Sequence, residues 1–433
     1  MTTLGSYGDL HPYLAMARVL KQNGDEVTIA THAEYREAVE RIGARFVLIK
    51  PGLDDLGPEA DWAAKANHTL TGTQFIIRTL ILPYLEDSYQ RIKAAAVGQD
   101  LIISHLLTFA TPIVAEELGI PWLSCALQPS AFFSAYDPPA LGPLPFLPKL
   151  RFLGPQIMRG ILKLLIRPTY RWLTPITELR ARVGLTPSSK NALVEGFSPE
   201  GTLALFPAPF AASKPDWPAR VHQIGFPLYD VETTSELSPA VQQFLEQGPP
   251  PVIFTLGTAI IRMETNYFEV AYEALKHLGL RGVFLVGKTP RRIPPAAMTD
   301  PRISITDYEP FSRLFPKGEV IVHQCGIGTT AQGLASGRPQ ILVPFAHDQP
   351  DNARRLEQLG VGITIPARRL NSLRLIKALN RVNADAGFAT RAGNLASRLE
   401  VAEFDQRLCQ AISGTLTRSK NGGVEWREEK RTS

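Results

Sequence analysis

The chain has 433 residues, of which 44% are hydrophobic and 20% are charged, and its formal net charge is +5. This length favours two domains, the apolar content excludes a disordered chain, and so mild a charge does not indicate a nucleic-acid partner. Three scattered cysteines fit neither a disulfide framework nor a metal site, and the sequence shows no signal-peptide pattern and no apolar run of 18 residues. We therefore expect a cytoplasmic protein without a metal site.

The first part of the chain alternates between strand and helix patterns. Residues 1–4 allow only a shortened first strand before a turn at 5–12, which a helical pattern follows as far as Gly24. Further strands are predicted at residues 26–31, 44–49, 100–104 and 122–127. This alternation predicts a doubly wound α/β domain with a parallel sheet. Ligands of such sheets bind at the carboxyl ends of strands, and the turn at 5–12 lies at one such end.

Asp9, in that turn, has two interpretations. In a cleft between domains, its carboxylate is suited to accept a proton from a substrate hydroxyl. Aspartate is also a preferred capping residue, and this turn immediately precedes the first predicted helix. The residues alone leave both interpretations open. Ser6, Tyr7 and His11 share the turn and are candidate contacts for an acceptor substrate, although His11 also fits a surface position at the start of a helix.

Two features follow the strand at 122–127. Residues 129–148 contain six prolines together with Phe132 and Phe133, which predicts a long irregular loop that forms a wall of an acceptor pocket. Residues 149–182 carry eight Lys or Arg and a single Glu, with apolar residues at helical spacing. This pattern predicts a basic amphipathic helix, which either contacts an anionic membrane surface or packs on the domain as an ordinary solvated helix.

The density of proline defines the predicted domain boundaries. Nine prolines between 207 and 251 predict a stiff linker at 207–250, after a first domain at 1–206. A second α/β domain is predicted at 251–414, and the polar residues 415–433 are expected to be disordered.

The stretch from Glu319 to Asn352 carries the strongest signal. A β-branched strand at 319–323 leads into a glycine loop, a helix and a second apolar run that ends near Asp348. Because a helix that begins behind a glycine loop presents unpaired N–H groups and a partial positive charge, it is suited to bind phosphate. The same loop also fits a dinucleotide fingerprint with Asp348 as its acidic residue, or a glycine turn that serves packing alone.

The stretch resembles the donor-sugar motif of inverting nucleotide-sugar glycosyltransferases with the two-domain GT-B fold. The resemblance is to the bacterial branch that includes sterol glucosyltransferases, the rhamnosyltransferase of rhamnolipid synthesis, and macrolide and glycopeptide glycosyltransferases. These proteins carry a pattern like H-H-G-G-x-G-T-T, then a run between two prolines and a D-Q pair. In this chain the pattern stands as HQCGIGTT at 323–330, the run from Pro339 to Pro344, and Asp348-Gln349.

The resemblance implies a role for each matching residue. Asp9 matches the acidic residue of the family's G-S-x-G-D-x-x-P turn, which implies a catalytic base. The expected contacts to the donor diphosphate are Gly326, Gly328, Thr329, Thr330 and Thr258. The family's usual phosphate-contacting histidine aligns with Gln324, so the contact is made by His323 or Gln324. Tyr308 and Phe311 match a loop that touches the nucleotide base, although both also fit a core, and Asp348 and Gln349 match residues that hold sugar hydroxyls.

The implied reaction is the metal-independent transfer of a hexose from a UDP- or TDP-sugar to a hydroxyl of a lipophilic acceptor, without a further cofactor. Two alternatives are a non-catalytic nucleotide-sugar-binding protein, which a shortened first strand would favour, and a dinucleotide-dependent Rossmann enzyme. The second would place its fingerprint on the first strand of a βαβ unit, whereas this fingerprint lies deep in the second predicted domain.

Overall fold

In the computed structural model, which describes residues 1–230, 236–257, 265–287 and 293–422, parallel strands form two sheets. The first sheet contains β1 (Thr28–Thr31), β2 (Arg45–Leu48), β3 (Ile102–His105), β4 (Trp122–Ala126), β5 (Thr202–Ala204) and β6 (Val221–Gln223). The second contains β7 (Val252–Thr255), β8 (Gly282–Leu285), β9 (Ile303–Thr306), β10 (Val320–His323), β11 (Gln340–Leu342) and β12 (Gly362–Thr364). Every recorded strand pairing is parallel, so the predicted pair of doubly wound α/β domains is confirmed.

The helices lie between the strands and cover both sheets. Those of the first half are α1 (Tyr7–Gln22), α2 (Arg36–Arg41), α3 (Glu59–Ala66), α4 (Gly72–Phe75), α5 (Leu85–Ala96), α6 (Ala110–Leu118), α7 (Pro155–Ile166), α8 (Thr169–Trp172) and α9 (Thr174–Arg182). Those of the second half are α10 (Pro239–Glu246), α11 (Tyr267–Leu278), α12 (Pro295–Met298), α13 (Phe311–Leu314), α14 (Ile327–Ala335), α15 (Gln349–Gln358), α16 (Ser372–Ala384), α17 (Gly387–Ala396) and α18 (Phe404–Gly422). Within the described ranges, no helix combines the length and the hydropathy needed to cross a bilayer.

Residues 1–3 join the two parts of the first sheet. Thr2 forms parallel bridges to Ala30 of β1 and to Ser104 of β3, so this short run lies at the centre of the sheet. In the second sheet the order is β12-β11-β10-β7-β8-β9, which places β10 and β7 side by side at its centre. The loops after these two strands therefore lie next to each other at the carboxyl edge, where ligands of parallel sheets bind.

Two predicted boundaries need correction. Residues 221–223 lie within the predicted linker at 207–250 but form β6, which pairs with β5 and extends the first sheet. Residues 415–422 were expected to be disordered but continue α18, where Thr415 is buried and its hydroxyl donates to the Ala411 carbonyl. The surrounding prolines and the polar composition of the C-terminal segment led to these predictions, and tertiary packing overrides such local preferences.

The last helix connects the end of the chain to the first domain. Phe404, Leu408 and Ala411 of α18 are buried in one cluster with Tyr13 and Met16 of α1. This packing ties the first domain to a helix that follows the second domain in sequence.

Candidate active site

The glycine loop after β10 ends at an exposed helix start. Gly326 is the N-cap of α14 and has an extended backbone, with φ −60° and ψ 145°. A glycine has no side chain to cap the first N–H groups of a helix, and these groups have no intrahelical acceptors. A Cβ added at Gly328 would meet no atom within 4 Å. The start of α14 therefore faces open space and is suited to bind an anion.

The two threonines of this helix are buried. Thr329 lies 3.5 Å, through its hydroxyl, from the Gln324 amide nitrogen. The Thr330 hydroxyl has no hydrogen-bond partner within the described part of the chain. Both side chains lie in the first turn of α14, beside the predicted phosphate site.

His323 and Gln324 occupy different environments. His323 is fully buried, its Nε2 lies 2.8 Å from Gln340 Oε1, and its Nδ1 accepts a hydrogen bond from the Cys325 N–H. Burial lowers the pKa of His323 to about 4, so the ring is neutral at physiological pH. Both ring nitrogens of His323 are hydrogen-bonded inside the protein, which stabilises the loop. We therefore do not retain His323 as a contact to the donor diphosphate.

Gln324 is the side chain that borders the glycine loop. A Cβ added at Gly257, in the turn after β7, would lie 2.1 Å from Gln324 Nε2, and one at Gly326 would lie 3.1 Å from it. The amide thus lies between the two loops at the carboxyl edge of the sheet. Of the two alternatives, the structure favours Gln324. Thr258, the neighbouring candidate, lies outside the described residues.

Asp348 and Gln349 are held at the start of α15. Asn352 donates to Asp348 Oδ2 at 2.7 Å and to the Cys325 carbonyl at 3.0 Å, and the Ile327 N–H also faces the Asp348 carboxylate. Gln349 Oε1 accepts hydrogen bonds from two backbone N–H groups of the preceding loop, those of residues 345 and 346. Asn352 therefore fastens the predicted sugar-binding pair to the glycine loop.

Asp9 has the capping role that its sequence position suggested, and its carboxylate remains partly exposed. Asp9 Oδ2 accepts from the Ser6 N–H at 2.7 Å and from the Ser6 hydroxyl at 3.1 Å, which completes a capping box for α1. Asp9 Oδ1 lies 3.7 Å from Nε2 of His105, and the Asp9 side chain is still 30% exposed. A Cβ at Gly5, where φ is +128°, would lie 2.3 Å from Oδ2, so glycine is needed there for the carboxylate to adopt this position.

Asp9 of the first domain faces the donor loops of the second. Its charge acts on His347 and on Asp348, which both follow β11. Burial raises the pKa of Asp348 to about 7, the Asn352 hydrogen bond opposes this shift, and the charge of Asp9 adds to it. The candidate base and the candidate sugar-binding carboxylate therefore lie close enough for their charges to interact. Across the described residues, no three His, Cys, Asp or Glu side chains gather in a way that would hold a metal ion.

The pKa of Asp348 gives a testable pH dependence of stability. Because the folded chain binds this proton more tightly than an unfolded chain would, the contribution of Asp348 to the free energy of unfolding is largest below pH 4 and falls as the pH rises from about 4 through about 7. A pKa shift of this size can contribute at most about 4 kcal/mol to the free energy of unfolding. Because the side chain is partly exposed, we expect a contribution on the order of 1–2 kcal/mol.

Asp348→Asn removes the titrating group while it keeps the shape of the side chain. We expect urea unfolding to show that wild-type stability declines more steeply between pH 4.5 and pH 8 than that of the variant. Equal declines in the two proteins would contradict the assignment.

His105 and Asn352 are the functional candidates that the sequence predictions missed. His105 is buried at the carboxyl end of β3, and burial lowers its pKa while the charge of Asp9 opposes that change. The rule that ligands bind at this edge could have identified it. Asn352 lies four residues after Asp348, a spacing at which helical side chains interact.

The predicted acceptor contacts lie in different environments. Ser6 caps α1, and Tyr7 and His11 lie beside it, with ring centroids 5.4 Å apart. Phe132 is buried and stacks on Trp217, with centroids 4.3 Å apart, so it belongs to the core and we do not retain it as an acceptor contact. Phe133 is half-buried and packs with the cluster around α7.

The predicted contacts to the nucleotide base also differ. Tyr308 is exposed, whereas Phe311 is half-buried and stacks on Phe315, with ring centroids 4.4 Å apart. Phe311 is also anchored through its backbone N–H, which donates to Asp230 at 3.0 Å. Of the two rings, Tyr308 is the more accessible to a ligand.

A groove of about 1560 Å³ opens beside His105. It runs between α6 and α9, and its apolar lining includes Leu106, Phe109, Ile113, Leu173 and Ile176. His105, which lies near Asp9, is thus one of the lining residues, and the lining combines these apolar side chains with charged ones such as Glu116 and Arg180.

Comparisons with known proteins agree with this geometry. Residues 1–134 match the glycosyltransferase family 28 N-terminal domain, and residues 290–404 match the erythromycin biosynthesis protein CIII-like C-terminal domain. The chain is 28% identical over 428 residues to O-mycaminosyltylonolide 6-deoxyallosyltransferase of Streptomyces fradiae, which covers 95% of this chain and 96% of the relative. It is 25% identical to a sterol 3-beta-glucosyltransferase of Debaryomyces hansenii, where 92% of this chain spans only 26% of the relative.

Solved structures show the same two-domain fold. The kitacinnamycin glycosyltransferase aligns with a TM-score of 0.71 at 20% identity and covers 96% of this chain and 98% of its own. The glycosyltransferase VinC, solved in complex with dTDP, aligns with a TM-score of 0.64 at 20% identity and covers 96% of this chain and 99% of its own.

Proposed function

The chain belongs to the GT-B glycosyltransferases, and from this premise we propose that it transfers a hexose, with inversion, from a UDP- or TDP-sugar to a hydroxyl of a lipophilic acceptor. The observation that supports the proposal is the proximity of Asp9 to the loop that carries Asp348. A Cβ added at Gly72 of the first domain would lie 3.4 Å from His347 Cε1, and the charge of Asp9 acts on both His347 and Asp348. A candidate proton acceptor therefore lies near a candidate anion site at the start of α14, as this reaction requires.

In the proposed step, the acceptor hydroxyl attacks the anomeric carbon from the face opposite the diphosphate. A bond forms between the acceptor oxygen and this carbon, the bond from the carbon to the phosphate oxygen breaks, and Asp9 takes the hydroxyl proton. The N–H and hydroxyl of Ser6 orient the Asp9 carboxylate, and His105 lies beside it. The N–H groups at the start of α14 and the Gln324 amide stabilise the charge that develops on the leaving diphosphate, and no metal ion is required.

The lipophilic acceptor is supported by the relatives and by the groove. One relative is named for a macrolide-type substrate, O-mycaminosyltylonolide, and another for a sterol. The groove beside His105 has an apolar stretch along α6, and His105 lies 3.7 Å from the proposed base. An extended polycyclic or macrocyclic acceptor would place its hydroxyl at Asp9 and its apolar body along α6.

A turnover assay tests the proposed function. The protein is incubated with UDP-glucose or with TDP-hexoses, with and without a panel of hydroxylated sterols and macrolide aglycones. Released nucleoside diphosphate and the mass of the product are measured. Release that depends on an acceptor, with a product heavier by one hexose, supports the proposal. In a parallel calorimetric titration, binding of NAD without binding of UDP or TDP would overturn it in favour of the dinucleotide alternative.

We also propose that α7 contacts an anionic membrane surface. On its solvent face, Ile157 and the 67% exposed Leu164 lie beside Lys163 and Arg167. Five basic side chains in and around α7 form no ion pair within the described part of the chain: Arg151, Arg159, Lys163, Arg167 and Arg171. Exposed apolar groups among unpaired cations are typical of helices that lie at a lipid interface.

Vesicle sedimentation tests this contact. We expect the wild-type protein to sediment with phosphatidylserine-rich vesicles more than with phosphatidylcholine vesicles, and the double variant Lys163→Glu/Arg167→Glu to lose this difference. The matched control is Lys377→Glu/Arg381→Glu, which changes the same charges at the same spacing on α16. Equal sedimentation of the wild-type protein with both vesicle types would contradict the proposal.

A further inference from the structure

An ion-pair network joins the first domain to the helix that carries the sugar-binding pair. Asp137, in the loop after β4, lies 2.7 Å from Arg355 and 3.1 Å from Arg354 on α15. Within α15, Asp351 lies 2.7 Å from Arg355 and 2.9 Å from Arg354. The Ala140 N–H of the same loop donates to Asp351 at 3.0 Å. The two domains are therefore connected by two cross-domain ion pairs and one hydrogen bond.

The network is removed from water and its charges balance. Asp351 is fully buried, and the other three side chains are at most 17% exposed. Burial acts to raise the pKa of Asp137, but Arg355 and Arg354 together hold it below its ordinary value. Because screening by water is weak here, the attraction between these groups is stronger than in a surface pair, and loss of one partner leaves a buried charge uncompensated.

The loop is anchored at its other end as well. Asp216 accepts hydrogen bonds from the Ser134 hydroxyl and from the Ala135 N–H, both at 2.6 Å. Farther along, Leu147 packs with Met158 and Leu162 of α7. The segment from 134 to 140 is thus anchored to the first domain, and its Asp137 forms ion pairs with the second domain.

These ion pairs lie on the same helix as the predicted sugar contacts. Arg355 lies seven residues after Asp348, so the ion pairs are about 10 Å from the predicted sugar contacts along a rigid helix. The nucleotide contacts lie on another loop, which Asn352 of α15 joins through the Cys325 carbonyl. A change at Asp137 should therefore affect the placement of the sugar more than the phosphate site.

We propose that Asp137 is a positioning residue, which latches α15 to the first domain so that Asp348 and Gln349 hold the donor sugar opposite Asp9. This inference rests on the proposed function. The latch closes the cleft around the two substrates, and it fixes the distance between the hydroxyl-binding groups of one domain and the base of the other. Small displacements of reacting groups are costly, because transfer requires close and aligned approach.

The test compares nucleotide binding with turnover in Asp137→Asn. We expect kcat/KM for sugar transfer to fall by about 10- to 100-fold, whereas the affinity for UDP or TDP alone should change by a smaller factor. Asp137→Glu, which keeps the charge, should recover most of the activity. Asp25→Asn is the matched control, because Asp25 is an exposed carboxylate of the same domain.

A second variant approaches the latch from the other domain. Arg354→Gln removes one of the two cross-domain pairs and should cause a smaller loss than Asp137→Asn. The double variant should be no worse than Asp137→Asn alone, because Arg354 has already lost its cross-domain partner in that background.

The outcomes separate the latch from the proposed function. Wild-type turnover in Asp137→Asn would overturn the latch and leave the glycosyltransferase reaction in place. A fall in nucleotide affinity as large as the fall in kcat/KM would also overturn it, since the effect would then be a general loss of structure. Absence of transfer by the wild-type protein would instead count against the proposed function.

Discussion

Replacement of Asp9 by asparagine should lower kcat for sugar transfer by about 10²- to 10⁴-fold, the usual contribution of a general base. An amide cannot accept the hydroxyl proton, but its oxygen can still accept the Ser6 N–H that now bonds to Asp9 Oδ2. The capping box of α1 should therefore survive in this variant, and the loss should be chemical and not structural.

Three measurements make this prediction specific. Steady-state kinetics should show the fall in kcat, calorimetry should show an unchanged affinity for UDP or TDP, and thermal unfolding should show a melting temperature near that of the wild-type protein. Asp25→Asn serves again as the control. Turnover of Asp9→Asn at the wild-type rate would exclude Asp9 as the base.

Replacement of Gly328 by valine should abolish donor binding. In the free protein, a Cβ at this position meets nothing within 4 Å, so the variant should fold normally. The added side chain would occupy the space in front of α14 that the diphosphate needs. Loss of two charge-assisted hydrogen bonds there corresponds to about 3–6 kcal/mol, or roughly 10²- to 10⁴-fold in affinity.

Calorimetric titration with UDP and TDP measures this loss. Gly393→Val is a suitable control, because Gly393 is also helical and exposed and a Cβ there likewise meets nothing within 4 Å. Circular dichroism should show that both variants are folded. Undiminished nucleotide affinity in Gly328→Val would exclude the start of α14 as the phosphate site.

The fold and the outline of the site could be predicted from short stretches of sequence. Alternating strands and helices specify parallel sheets, and the two glycines at 326 and 328 specify a helix start free of side chains. The motif around Asp348 indicated the donor side of the site, because it too is a pattern of neighbouring residues. These features depend on local backbone geometry and on neighbours a few residues away, and such information is contained in the order of residues.

Contacts between residues that are far apart in the sequence were decided only by tertiary structure. His323 and Gln324 are adjacent at the end of β10, where successive side chains point to opposite faces, and the burial of His323 depends on Gln340 of the neighbouring strand. Phe132 belongs to the core because Trp217, 85 residues away, stacks on it.

Tertiary structure also decided the long-range contacts of the candidate active-site residues. Asp9 meets His105 because residues 1–3 lie between β1 and β3, and Asp137 meets Arg355 because the two domains face each other. The sequence by itself determined which groups are available and which turns and helix starts present them. Only the packing of the sheets and domains decided which of these groups meet, since a pairing across 96 or 218 positions depends on the whole fold and not on local spacing.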